Sequence, residues 1–163
     1  MSALVVFAWG NPSRGDDALG PLLAERLQRL PAVRSGEVAL VEDFQLQVEH
    51  AMDLGSRSLA LFIDAASGLD LPFVFSAITP RFQPTHSTHA IAPESVLAVA
   101  GDVLGEAPPP AFLLAVSGQD FDLGAPLSPA AQANLEAAWG FIGELLAAPD
   151  AAAWQARAGA PAG

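Results

Sequence analysis

The stretch Leu4-Val5-Val6-Phe7-Ala8-Trp9-Gly10-Asn11-Pro12-Ser13-Arg14-Gly15-Asp16-Asp17-Ala18-Leu19 decides how the rest of the chain is read. It opens on an unbroken apolar run that stops at glycine, which reads as a strand buried on both faces. A short loop with Pro, Ser and Gly follows, then the acid pair Asp16-Asp17. Leu19, Leu22, Leu23, Leu27 and Leu30 then recur at helical spacing, while Glu25 and Arg29 pair four apart on another face. Either aspartate is positioned to cap the first turn, and Pro21 is tolerable that early. Buried strand, loop and amphipathic helix together form the opening unit of an α/β domain.

Working outward, a second short apolar run covers residues 38–41. Residues 45–54 read as helical, with Leu46, Ala51, Met52 and Leu54 inward and Gly55 as the stop. A third strand, 59–63, ends at Asp64-Ala65-Ala66-Ser67-Gly68, and a fourth covers 73–78. No helix separates these two, so the fourth is expected to pair antiparallel at a sheet edge. The loop 80–92 carries His86 and His89, a helix is expected over 93–104, and a fifth strand over 111–116. After the long loop 117–127, Ser128-Pro129 is a cap followed by proline at the first helical position. That last helix continues through Leu135, Trp139, Ile142 and Leu146. Residues 1–147 are expected to form a single domain, and the Ala/Gly/Pro-rich stretch 148–163 a disordered tail. Strands alternating with helices imply a largely parallel sheet covered on both faces.

Composition narrows the function classes. The 163 residues suit one compact domain, and 52% hydrophobic with 15% charged residues is a globular mixture. The absence of cysteine removes disulfides, thiolate zinc sites and a cysteine nucleophile. A net charge of −11 with only seven Lys and Arg argues against nucleic acid and against anionic membranes. No apolar run approaches the ~20 residues of a membrane span. The first strand has neither a basic flank before it nor a small-residue cleavage site after it, so it does not read as a signal peptide, and a cytoplasmic monomer is expected.

In doubly wound sheets ligands bind beyond the carboxyl ends of the strands. Asp16-Asp17 follows the first strand and Asp64 the third. If the strand order runs 2-1-3, those strands are neighbours about 5 Å apart and their carboxylates meet in one crevice. Like charges that close raise one another's pKa unless a cation lies between them. Taken singly, Asp16 and Asp17 read as helix caps and Asp64 as a loop residue bonding its own backbone. His50, on the predicted helix beside Glu49, reads as a solvated surface group, whereas the loop of His86 and His89 can reach the crevice. Two carboxylates and an imidazole suit a borderline divalent metal such as nickel or zinc and leave coordination positions open. The 10–15 loop lacks a G-x-G-x-x-G pattern and a P-loop lysine, and no G-x-S-x-G elbow accompanies Ser13, Ser67 or Ser117.

Gly10-Asn11 followed by Asp16-Asp17-Ala18-Leu19-Gly20 resembles the signature of the hydrogenase maturation endopeptidases. Further segments resemble that family in the same order: Gln45-Leu46 with Glu49, Phe62-Ile63-Asp64-Ala65, Ser87-Thr88-His89-Ala90 before Pro93, and 118–124 through Leu127-Ser128-Pro129. The resemblance spans roughly residues 3–146. It implies a three-layer α/β/α sandwich with a mixed, mostly parallel five-stranded sheet. It also implies an activity, removal of the C-terminal extension of a nickel–iron hydrogenase large-subunit precursor once nickel is installed. By the same resemblance the nickel, supplied by the precursor, meets Asp17, Asp64 and His89, with Asp16 a cap or support and His86 without a matching role. Some relatives carry Glu at the position of Asp17, and many carry Gly at that of Ala18. Two other classes share parts of this pattern: a non-proteolytic nickel-binding accessory protein and a nucleotide- or small-molecule-binding α/β module.

Overall fold

The computed structural model describes residues 2–83 and 91–158. In chain order the elements are β1 (Leu4–Trp9), a 3-10 turn (Gly15–Ala18), α1 (Leu19–Gln28), α2 (Pro31–Arg34), β2 (Val38–Asp43) and a 3-10 stretch (Val48–Leu54). They continue with β3 (Leu59–Ala66), β4 (Phe73–Ile78), α3 (Pro93–Leu104), β5 (Ala111–Ser117), α4 (Pro129–Ala147) and α5 (Ala151–Ala158). The sheet runs β2-β1-β3-β5-β4, with β4 antiparallel to β5 and every other neighbouring pair parallel. The order 2-1-3 is the condition under which the two strand-end acids meet, and the antiparallel β4 at the edge is as the sequence leads one to expect.

The alternation of the strands divides the core into two halves. Leu4, Val6 and Ala8 of β1, with Leu59, Leu61 and Ile63 of β3, pack on α1, α4 and α5. Val5, Phe7 and Trp9, with Ala60 and Phe62, face α3 and the 3-10 stretch instead. Phe7 and Phe62 stack across the two strands at 4.7 Å, and Trp9 meets Phe62 edge-on at 6.2 Å. The result is a three-layer α/β/α sandwich with a mixed, mostly parallel five-stranded sheet. No helix among the described residues is long and apolar enough to cross a membrane.

Three expectations need correction. The helix expected over 45–54 is a 3-10 stretch beginning only at Val48. With three residues per turn, Ala51 and Leu54 share the inner face and Met52 is left 60% exposed. β3 continues past Ile63 to Ala66 because β5 pairs with it that far, so Asp64 lies within the strand, opposite Ala115, and not beyond its end. Finally, the stretch read as a disordered tail contains α5. Trp154 on that helix is 1% exposed, meets Phe112 and Phe75 edge-on at 5.5 and 6.2 Å, and donates its indole N–H to the Leu145 carbonyl at 2.9 Å. One indole anchors a helix whose alanines carry no periodic signal of their own. Residues 159–163 lie outside the described ones.

Candidate active site

β1 and β3 lie side by side and parallel, so their carboxyl ends share one sheet edge. Gly10 has φ +154°, and a Cβ there would stand 2.0 Å from the Asp17 carbonyl oxygen. Only glycine lets the 3-10 turn fold back this tightly on the strand end. The turn brings Asp17 to the crevice, where its Oδ2 accepts the Asn11 backbone N–H at 2.7 Å. Asn11 is held in turn by the Ser13 N–H, which donates to its Oδ1 at 2.9 Å.

Asp64 follows Ala60 and Phe62 at the strand period of two and therefore stands on the α3 side of the sheet. It is half-buried. Burial pushes its pKa up to about 7, the Asp17 carboxylate adds to the rise, and a hydrogen bond from the Ala65 backbone opposes it. Asp17 and Asp64 open into one cleft of about 610 Å³, walled by Trp9, Arg14, Phe44 and Phe121. Near neutral pH Asp64 thus holds a labile proton. It can pass that proton to a reacting group or exchange it for a cation.

His86 and His89 lie outside the described residues. Among the described residues no three His, Cys, Asp or Glu side chains are grouped to hold a metal ion. His50 departs from its reading as a solvated surface group, being only 8% exposed. Its Nδ1 accepts the Gln47 N–H at 2.8 Å, which leaves Nε2–H to face Asp43 Oδ2 at 3.3 Å, and its ring meets Phe7 edge-on at 6.2 Å. Its contacts with Gln47, Asp43 and Phe7 hold residue 50 inward, so this histidine is a structural cap and does not line the cleft.

Neither aspartate caps the helical turn, whose N-cap, Arg14, likewise makes no side-chain cap bond. Asp16 is fully buried and accepts hydrogen bonds from the 119–128 segment instead. Burial raises its pKa, but hydrogen bonds from Ser128, Gln119 and Asp120 outweigh that and hold it below the ordinary value. Phe44, Phe121 and Arg14 line the cleft without having been singled out from sequence. Phe44 carried a usable signal: an aromatic residue directly after an apolar strand, in a polar stretch, 69% exposed in the fold.

These features define an α/β/α sandwich with a paired-carboxylate cleft at the carboxyl edge of its sheet, and solved structures share the architecture. A [NiFe] hydrogenase maturation protease, HycI, from Thermococcus kodakarensis KOD1 superposes with a TM-score of 0.66 at 23% identity, over 89% of this chain and 92% of that one. The hydrogenase maturating endopeptidase HybD from E. coli gives 0.66 at 21% identity, over 90% and 93%. The hydrogenase 2 maturation peptidase from a Thaumarchaeota archaeon gives 0.61 at 20% identity, over 90% and 99%. The chain therefore has the fold of the hydrogenase maturation endopeptidases. No protein-family model and no curated protein matches the sequence.

Proposed function

We propose that the protein is a hydrogenase maturation endopeptidase. It removes the C-terminal extension of a nickel–iron hydrogenase large-subunit precursor after nickel insertion, working in the cytoplasm as a monomer. The observation that carries this reading is the juxtaposition of Asp17 and Asp64 in one cleft, on the fold shared with endopeptidases of that kind. His89 joins them as the third contact on the strength of the Ser87-Thr88-His89-Ala90 resemblance.

The nickel is part of the substrate. Asp17, fixed by the Asn11 N–H, and Asp64 present oxygen donors to it, and a neutral His89 imidazole adds nitrogen. Asp64 gives up its proton to solvent as the cation arrives, which relieves the like-charge repulsion with Asp17. Contact with the metal docks the scissile peptide in the cleft and makes cleavage conditional on nickel. The bound ion supplies Lewis acidity to the scissile carbonyl or its attacking water. A carboxylate of the pair takes the proton from that water, and the leaving amine receives it.

The test is cleavage of purified nickel-loaded precursor by wild type and by Asp17→Asn, Asp64→Asn and His89→Ala. The wild type should release the extension. Each variant should lose about 100-fold or more in rate while keeping its circular dichroism spectrum. Retained cleavage in all three would overturn the reading. An uncut precursor together with nickel retained by the wild-type protein through gel filtration would identify an accessory metal binder instead.

A further inference from the structure

Asp16 is a fully buried carboxylate that the chemistry above does not use. Its Oδ2 accepts the backbone N–H of Gln119 at 2.7 Å and of Asp120 at 3.1 Å, together with the Ser128 hydroxyl at 2.7 Å. Its Oδ1 accepts the Ser128 N–H at 2.8 Å. The Asp16 N–H donates to the Asp120 carbonyl at 2.7 Å. Charged acceptors make the stronger hydrogen bonds, and here one carboxylate gathers donors from both ends of the 117–128 loop.

The same two segments are joined beyond Asp16. Gly15 N–H donates to the Ala125 carbonyl at 3.1 Å, and Gly124 N–H to the Ser13 carbonyl at 2.7 Å. Gly15 has φ +54°, and a Cβ there would come within 2.2 Å of the Asp120 carbonyl oxygen. A Cβ on Gly118 would lie 2.8 Å from both Asp16 Cβ and Phe121 Cζ, so Asp16, Gly118 and the Phe121 ring are in direct succession. Phe121 lines the cleft with Asp17 and Asp64. Asp17 and Phe121, which both line the cleft, are thus tied to one buried group, the residue immediately before Asp17.

We propose that Asp16 is a positioning residue that sets the Phe121 wall of the cleft, and that Phe121 is a substrate-binding contact for the peptide segment of the precursor. The proposal rests on the peptidase reading for its kinetic consequence. Its structural consequence can be read without any substrate.

Steady-state cleavage of nickel-loaded precursor should give Asp16→Asn a KM raised roughly tenfold, with kcat changed far less, because the wall moves while the reacting groups remain. Phe121→Ala should raise KM similarly. The double variant should then be no worse than about twofold beyond either single one, since both act through the same contact. Hydrogen exchange on the free protein should show the amides of Gln119, Asp120 and Ser128 opening at least about tenfold faster in Asp16→Asn, with β1 and β3 still protected. If Asp16→Asn does not fold, Gly118→Ala, which wedges a methyl between Asp16 and Phe121, should show the same KM rise and the same lack of additivity. Additive KM effects, a loss confined to kcat, or unchanged exchange at those amides would overturn the proposal. A wild type that leaves the precursor uncut would instead remove the peptidase reading, with the exchange result still deciding the role of Asp16 as the loop's anchor.

Discussion

Two places on the sheet are finished by chain that arrives late in the sequence, and they are finished in opposite ways. Against β4 and β5, α5 lays Trp154 onto Phe75 and Phe112, with its one polar atom bonded to the Leu145 carbonyl. At the carboxyl ends of β1 and β3, the 117–128 loop instead completes a cleft holding two carboxylates, one of them pushed up to about pH 7 by burial and by its neighbour. The first place gains stability from everything it buries. The second carries a charge that the folded state disfavours, which is expected where structure serves a ligand more than itself.

The sharpest way to separate the two is to damage the first. Trp154→Ala should cost about 4 kcal/mol, lowering Tm by roughly 10 °C, because so large a buried side chain leaves a cavity that a packed sheet cannot fill. Cleavage measured well below the new Tm should be close to that of wild type. A shift of less than about 2 °C would mean that α5 is not docked as described.

Next comes damage to the cleft, where the sign reverses. Asp64 has its folded pKa raised above the unfolded value of 3.8, so the proton it retains favours the folded state at low pH. That contribution fades as pH rises from about 4 and is gone above about 7. Asp64→Asn, neutral throughout, should therefore match wild type near pH 4 and exceed it at pH 8 by roughly 2 kcal/mol, or about 5 °C in Tm. Thermal melts at the two pH values check this. A variant less stable than wild type at pH 8 would contradict the assigned environment.

A smaller effect is expected at His50. His50→Ala leaves the Gln47 N–H without its acceptor and Asp43 without its partner, which should cost about 1–2 kcal/mol in a urea titration. The cleavage rate should stay within about twofold, since this side chain is not part of the carboxylate cleft. A loss of activity without a loss of stability would place His50 in the chemistry after all.

What sequence could and could not say follows the range of the interactions involved. β1, β4, α1, α3 and α4 were legible because their signals are local: apolar runs, heptad-like leucines, and Ser128-Pro129 at a helix start. The meeting of Asp17 and Asp64 was legible once the strand order was assumed, because the parallel register pairs Ala8 with Ile63 and so sets Asp64 level with the end of β1. The partners of Asp16 lie 103 to 112 residues away, and nothing in its neighbourhood announces them. His50 lies buried through contacts with Phe7 and Asp43 that its polar neighbours do not announce, and α5 docks through one tryptophan in an alanine-rich segment. Both have one cause: tertiary contacts decide the structure where local periodicity is weak.

The central claim is that the cleft reads a nickel ion belonging to the substrate. It is tested most directly by incubating the wild-type protein with nickel-loaded and nickel-free large-subunit precursor and following loss of the C-terminal extension by mass spectrometry. The account predicts that only the loaded precursor is shortened; equal processing of both would contradict it.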